Sequence, residues 1–364
     1  MQQEQIYNAA VELLTEITLT TRPANEVINA YTRSRRYIGS KDRRALTDLV
    51  WGVLRHRARL AYLYPDGTWS DKIACYTDGL PDVSGAPQHV QWEVPEWLIP
   101  HIEDAETELP ALLPVAPIIL RVNGSRESVQ QQLTDEGFET ECTLMSPFGL
   151  ILKKRGNLNQ SQCYQNGLVE VQDEASQCVA LDTGINPGET ILDYCAGAGG
   201  KSLIFAQMMN NSGMVLAHDI SSRSLIELER RAERAGATHI HTTMNVTQCL
   251  QNHPEIAFDH VVIDAPCSGT GTWRRCPDMR WKLTPEQLKE LVDKQARILD
   301  QCVVFVRSGA FLSYMTCSLT RDENSEQIKH FLQTHQDFHL VKQKQYSPFR
   351  TQTDGLFVAV MQRA

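Results

Sequence analysis

The chain of 364 residues, 42% hydrophobic and 22% charged, has the composition of a globular protein of two or three domains, since each needs roughly 100–200 residues to enclose a core. A formal charge of −9, from 35 Lys and Arg against 44 Asp and Glu, argues against indiscriminate binding to nucleic acid, and no run approaches the roughly 20 apolar residues of a membrane helix. The opening Met1-Gln-Gln-Glu-Gln5 lacks the basic-then-apolar order of a signal peptide, and the ten cysteines form no C-x-x-C pair. Together these features predict a cytoplasmic protein with reduced thiols, no metal site and no membrane partner.

In chain order, apolar residues recur at helical spacing from Ile6 to Ile17 and again at Leu46, Leu49, Val50, Val53 and Leu54, with Gly39-Ser40 as a break. This predicts an N-terminal helical module within residues 1–80. Nine Lys and Arg against two acids fall between Arg33 and Arg59, a basic patch suited to phosphate contact. From Ala61 to about Glu93 the chain is rich in Pro, Gly and Asp without a clear period, which predicts an irregular connection. A strand-like Ile118–Val122, a polar helix over Ser125–Glu136 and a strand-like Gly149–Lys153 predict a small α+β domain over residues 90–164. Over residues 165–364, strand-like runs at Thr190–Tyr194, Met214–Asp219, His239–Asn245, His260–Asp264 and Phe311–Thr316 alternate with helical stretches. The alternation predicts a Rossmann-like, doubly wound α/β domain.

The first of these strands runs into Asp193-Tyr-Cys195-Ala196-Gly197-Ala198-Gly199-Gly200-Lys201-Ser202 and opens a helix, so a ligand can approach backbone that carries no side chain. Asp219, closing the second strand, supplies the usual carboxylate acceptor for a ribose hydroxyl. A dinucleotide fingerprint is disfavoured, because counting from Gly197 its third glycine falls on Ser202.

The fourth strand runs into Asp264-Ala-Pro266-Cys267-Ser-Gly269-Thr-Gly271 and the fifth into Thr316-Cys317-Ser318. Two thiols are thereby predicted at the carboxyl ends of strands, where open α/β sheets keep their sites. Cys178, Cys195, Cys249 and Cys302 lack such surroundings and read as small core residues with inert thiols. A thiol pair suits a reaction in which one sulfur adds covalently to a ring and a second group assists the later elimination. Carbon 5 of cytosine, too poor a nucleophile to take a methyl group directly, requires such an addition at carbon 6. Between the two strands, Trp273-Arg274-Arg275-Cys-Pro-Asp278-Met-Arg280-Trp281-Lys282 interleaves four cations with two tryptophans. Such a loop suits phosphate contact and base stacking, the alternative being that both tryptophans are simply packed.

These motifs resemble those of the Sun/Nop family of RNA 5-methylcytosine methyltransferases, and most closely its bacterial RsmB-like ribosomal-RNA branch. The resemblance covers Gln172-Asp-Glu-Ala-Ser-Gln177, the glycine turn ending in Gly199-Gly200-Lys201, Asp219, Asp264-Ala-Pro-Cys267-Ser-Gly-Thr-Gly, Arg274-Arg275-x-Pro277-Asp278 and Tyr314-x-Thr-Cys317-Ser, in family order. It implies S-adenosylmethionine as cofactor and a catalytic set of Cys317, Cys267, Asp264 and Lys201, with Cys317 forming the covalent link and Cys267 assisting release. It implies cofactor contacts from Asp193, Cys195, Ala196, Gly197, Gly199, Gly200, Lys201, Asp219, Arg223, Asn245 and Asp264. Upstream, Pro95-x-Trp97-Leu98 and Leu120-Arg121-Val-Asn123 look like the family's RNA-recognition-like domain. Gly39-Ser-Lys-Asp-Arg-Arg44 and Leu49–Arg55 are similar to a NusB-like helical domain, here short for that fold. Two positions depart from the pattern: Ala198 stands where the family usually has Pro, and Asn245 where an acid often holds the adenine amino group; an Asn carbonyl can still accept that bond.

The resemblance thus implies an enzyme whose partner is ribosomal RNA, with a transfer-RNA cytosine methyltransferase as the alternative substrate class, and a monomer is expected because nothing in the sequence calls for a partner chain. A non-catalytic RNA-binding or ribosome-assembly protein would retain the fold without needing both thiols. A nicotinamide enzyme is the third reading, disfavoured by Ser202.

Overall fold

The computed structural model describes residues 2–154 and 156–364. It divides into two compact units, one of residues 1–115 with 272–288, the other of residues 116–271 with 289–364.

The first unit is helical: α1 (Gln3–Leu19), α2 (Ala24–Ser34), α3 (Ser40–Arg55), α4 (Arg57–Leu63), α5 (Trp69–Thr77), α6 (Gln88–Gln91) and α7 (Ala105–Ala111). Leu13, Leu14 and Ile17 of α1 meet Val27 and Ile28 of α2 and Leu46, Val50, Val53 and Leu54 of α3 in one core. Apolar side chains three and four apart fall on one face of each helix, which is why the sequence period was readable here. The stretch 61–93, expected to be irregular, instead holds the end of α4 and all of α5 and α6. Helix α5 is opened by a capping box in which Thr68 Oγ1 accepts from Asp71 N and Asp71 Oδ2 accepts from Thr68 N. None of these helices exceeds two and a half turns, so the turn residues between them dominated the pattern. Helical structure continues to Ala111, well past the module boundary expected near residue 80.

The second unit contains two sheets. Strands β1 (Ile118–Val122), β2 (Thr140–Cys142), β3 (Gly149–Leu152) and β4 (Val169–Val171) form an antiparallel sheet in the order β2-β3-β1-β4. Helix α8 (Arg126–Asp135) covers it through Val129 and Leu133, and α9 (Gln162–Gln165) precedes β4. The small sheet therefore closes beyond residue 164, because β4 comes from sequence expected to open the catalytic domain.

The larger sheet comprises β5 (Thr190–Asp193), β6 (Met214–His218), β7 (Ile240–Thr243), β8 (His260–Asp264), β9 (Phe311–Thr316), β10 (Phe338–Tyr346) and β11 (Leu356–Arg363), in the order β10-β11-β9-β8-β5-β6-β7. Strands β5 to β9 are parallel, and β10 and β11 run antiparallel on one side. Helices α10 (Glu174–Leu181), α11 (Gly200–Met208), α12 (Ser222–Ala235), α13 (Val246–Asn252), α14 (Pro285–Cys302) and α15 (Ser325–Thr334) connect and cover it. Alternate residues serve the two faces: Leu192, Val261, Ile263 and Leu312 face one core, and Ile191, Val215, Val262 and Met315 the other. The five parallel strands are those expected from sequence. Strand β5 pairs with β6 on one side and β8 on the other, so the chain reverses its winding there, and ligands of such sheets bind beyond the strand ends at that point.

Candidate active site

At the switch point the turn after β5 has left-handed backbone at Gly197 and Gly199, with φ of 54° and 83°. A Cβ on Gly199 would lie 2.5 Å from Leu228 Cγ of α12, so glycine is required there both by conformation and by space. The turn is held by Asp219, whose Oδ2 accepts from Gly197 N at 2.9 Å and whose Oδ1 accepts from Ser221 N at 2.8 Å. His218 Nδ1 meets Tyr194 O at 2.7 Å, and the two rings lie 4.4 Å apart. These groups border a cavity of 550 Å³ lined by Tyr194, Cys195, Asp219 and Ile220 on the strand side and by Lys294, Arg297 and Ile298 of α14. Its wall continues through Asp264 to Pro266, the residue before Cys267.

Beneath the turn, Asp193 is 0% exposed. Its Oδ2 accepts from Ser202 Oγ at 2.6 Å, and Oδ1 has no partner among the described residues. Burial, partly offset by that hydrogen bond, raises its carboxyl to about 7. Lys201, almost fully buried, donates from Nζ to Asp264 Oδ2 at 3.1 Å and to Ser176 Oγ at 2.8 Å. The motif Gln172–Gln177 supports this corner: Gln172 Nε2 donates to Gly200 O at 2.9 Å, and Asp173 caps α10 by accepting from Ala175 N.

Cys267 and Cys317 follow the neighbouring parallel strands β8 and β9 and are brought together. Their sulfurs lie 3.3 Å apart, and Cys317 N donates to Cys267 Sγ at 3.2 Å. The Cys267 thiol is pushed well above its ordinary value, first by its hydrogen bond with Cys317, then by burial and by the negative charge of Glu323. A Cys267 that keeps its proton can donate it to the Cys317 sulfur. The two turns are tied further by Gly271 N donating to Cys317 O at 3.0 Å.

Other expected positions behave differently. Cys195 borders the cavity, but burial holds its thiol far above the usual range, so it contributes wall and backbone rather than reactivity. Ala196 is buried in the turn. Arg223 is exposed in the first turn of α12. Asn245 is exposed and accepts from Gln248 N at 3.0 Å as the N-cap of α13; neither residue lines the cavity.

The loop expected to meet phosphates and bases is largely packed inside the helical unit, where it is a structural staple. Trp273 is 1% and Arg280 0% exposed. The Arg280 guanidinium donates to Glu93 O, Leu112 O and Trp273 O, and Asp278 Oδ2 accepts from Ala24 N at 2.9 Å. Arg55, expected within the basic patch, donates to Leu113 O and Arg274 O. The sequence did not reveal Glu323, a fully buried carboxylate between the two thiol turns. Its only signal is an acid six residues after Cys317.

A doubly wound seven-stranded sheet with a cavity at its switch point defines a Rossmann-like domain. Residues 180–362 match the family model described as 16S rRNA methyltransferase RsmB/F, and the chain belongs to that family. It is 35% identical over 255 residues to the probable ribosomal RNA small subunit methyltransferase B of Bacillus subtilis (strain 168), covering 69% of this chain and 57% of that protein. Against the ribosomal RNA small subunit methyltransferase B of Photorhabdus laumondii the identity is 33% over 286 residues, covering 73% and 65%. The chain thus matches under two thirds of the length of these curated relatives. Among solved structures, PH0851 superposes with a TM-score of 0.82 at 21% identity, covering 100% of this chain and 99% of that one. A methyltransferase homolog from Pyrococcus horikoshii gives 0.66 at 23% identity, covering 78% and 100%. Both share the fold.

The cofactor of this family domain is S-adenosylmethionine, and the residues fit it. The cavity has room for a nucleoside-sized ligand. Asp219 faces it beside the apolar Ile220 and Ile298, and Asp193 Oδ1, buried and unpaired under the turn, is an acceptor in want of a donor.

Proposed function

We propose that the protein methylates carbon 5 of a cytosine in ribosomal RNA through a covalent adduct with Cys317, with Cys267 assisting release. The observation that carries this reading is the pair of thiols 3.3 Å apart on adjacent strand ends, beside the cofactor cavity. The names of the curated relatives support the ribosomal substrate.

When bound, S-adenosylmethionine supplies an electrophilic methyl group. Cys317 Sγ adds to carbon 6 of the base, and the electrons of the carbon 5–carbon 6 double bond pass to carbon 5, which becomes nucleophilic. Asp264, half-exposed and held by Lys201, hydrogen-bonds the nitrogen edge of the ring as charge develops. After transfer, carbon 5 loses its proton, the double bond re-forms and the sulfur–carbon 6 bond breaks. Once Cys317 is bonded to carbon, the hydrogen bond that most strongly keeps Cys267 protonated is gone. Cys267 can then lose its proton to water and, as the thiolate, accept the one from carbon 5, the electrons of that carbon–hydrogen bond re-forming the double bond as the sulfur leaves.

The test is to incubate each thiol variant with tritiated cofactor and unmodified ribosomal RNA. Cys317→Ala is expected to abolish both methyl transfer and adduct. Cys267→Ala is expected to accumulate a methylated RNA–protein species that survives denaturing electrophoresis. An adduct in Cys317→Ala and none in Cys267→Ala would invert the assignment, and no label transferred by the intact chain would refute the activity.

A further inference from the structure

Glu323 lies in the turn before α15 and is 0% exposed. Its Oε1 accepts from Ser268 N at 2.8 Å and Gln295 Nε2 at 2.9 Å. Its Oε2 accepts from Ser268 Oγ at 2.5 Å, Ser318 Oγ at 2.5 Å and Thr320 Oγ1 at 2.8 Å. Ser268 follows Cys267 in the chain and Ser318 follows Cys317, so one carboxylate clasps both thiol turns. All five donors are neutral. A buried carboxylate without a cationic partner is costly and persists only when its hydrogen bonds are complete. An apolar residue or an amide could fill the same space without a charge, so the charge itself calls for a role.

We propose that Glu323 is the positioning residue of the two-thiol site: it fixes the Cys267 and Cys317 turns against each other and keeps a negative charge beside Cys267, so that Cys267 is the proton-holding thiol and Cys317 the attacking one. The inference rests on the two-thiol reading above. Two thiols in such close contact cannot both be ionised at moderate cost, and some asymmetry must decide which one holds the proton. The groups facing Cys267 are Cys317, which follows β9, Tyr314 of β9 and Glu323 from the turn before α15; Asp264 lies earlier on its own segment, and Lys294 of α14 lines the cavity with Pro266. Of these, Glu323 is the one charged group that holds the backbone next to Cys267 directly.

The division of acceptors makes a clean test available. The two donors on Oε1, a backbone N–H and an amide, can only donate, whereas the three on Oε2 are hydroxyls that can equally accept. Glu323→Gln can therefore keep four of the five hydrogen bonds, its amide nitrogen donating to two of the three hydroxyls, while removing the charge. In the full-length protein, alkylation of Cys267 by iodoacetamide is followed against pH by peptide mass spectrometry, with exposed Cys142 as the internal reference. Glu323→Gln is expected to lower the Cys267 midpoint by about one pH unit, a tenfold change in its acid dissociation constant, and to leave Cys142 unmoved. Glu323→Asp, which retains the charge, is expected to restore most of the shift. Thr320→Val removes one neutral donor and leaves the charge less compensated, so the midpoint is expected to rise; this variant also decides the matter should Glu323→Gln fail to fold. In methylation assays Glu323→Gln is expected to lower kcat at least tenfold with little change in KM for RNA. A Cys267 midpoint unmoved in Glu323→Gln, or moved downward in Thr320→Val, would overturn the proposal. Alkylation needs neither RNA nor cofactor, so this result stands apart from the success or failure of the proposed reaction.

Discussion

Asp193 illustrates how a single buried carboxyl links the cofactor turn to stability. It is enclosed beneath the glycine turn with one oxygen on Ser202 and the other unpaired, and burial raises it from 3.8 to about 7. An acid whose folded value lies above its unfolded value binds its proton more tightly in the native state. Stability from this group is therefore complete below about pH 4 and is lost as pH rises toward 7. A shift of about three units corresponds to roughly 4 kcal/mol at about 1.4 kcal/mol per unit. Asp193→Asn keeps the shape and the link to Ser202 but cannot ionise. Urea unfolding of both proteins across pH 5 to 8 is expected to show the variant gaining on the parent by a few kcal/mol up to pH 7 and then running parallel. A difference independent of pH would mean that Asp193 is ionised in the fold throughout. The sequence reading expected this carboxyl among the cofactor contacts, and could not show that it is buried with burial outweighing the nearby Lys201 charge.

Among the elements, the segment from Thr272 to Leu288 shows where sequence and structure part. Cations interleaved with tryptophans look alike whether they face a phosphate backbone or fold onto carbonyl groups of their own chain, and only the tertiary acceptors distinguish the two. Here the acceptors are Glu93 O, Leu112 O and Trp273 O around Arg280, with the guanidinium stacked 5.6 Å from the Trp273 ring centre. A planar fork reaching several carbonyls cannot be replaced by a point charge. Arg280→Lys is expected to destabilise the helical unit by about 2–4 kcal/mol, since buried acceptors lose their donors; equilibrium unfolding measures it, and a loss below about 0.5 kcal/mol would show the contacts to be dispensable. Strands β5 to β9 were legible because each is a short apolar run between turn residues. Strands β10 and β11 were not: β11 reads Leu-Phe-Val-Ala-Val-Met, buried on both faces and without alternation, while most of β10 is exposed and polar. Both thiols were legible from their Pro, Gly and Ser neighbours. Glu323 was not, because an acid within Arg321-Asp-Glu-Asn324 looks like solvated charge until the fold places it between two turns.

For the molecule as a whole, a charge of −9 opposes binding to a polyanion, so the proposed RNA substrate would have to be attracted by a local concentration of cations. Of the nine Lys and Arg between Arg33 and Arg59, the structure withdraws four. Arg55 is buried on carbonyls, Arg57 lies 5.8 Å from the Trp281 ring centre, Arg59 is half-buried, and Arg35 stacks over Tyr31 beside Glu12. Arg33, Arg36, Lys41, Arg43 and Arg44 remain exposed, clustered about the end of α2 and the start of α3. Each phosphate contact releases counterions and contributes roughly 0.7–0.9 to the slope of log affinity against log salt. Replacing Arg36, Lys41 and Arg44 with Ala is therefore expected to weaken binding of ribosomal RNA and to reduce that slope by about 2, with cofactor affinity and folding stability unchanged because these side chains touch neither core nor cavity. Fluorescence anisotropy with labelled RNA from 50 to 300 mM salt, values chosen to span the range over which such contacts are screened, measures the slope directly. Unaltered affinity and slope would place the phosphate-binding surface elsewhere on the protein.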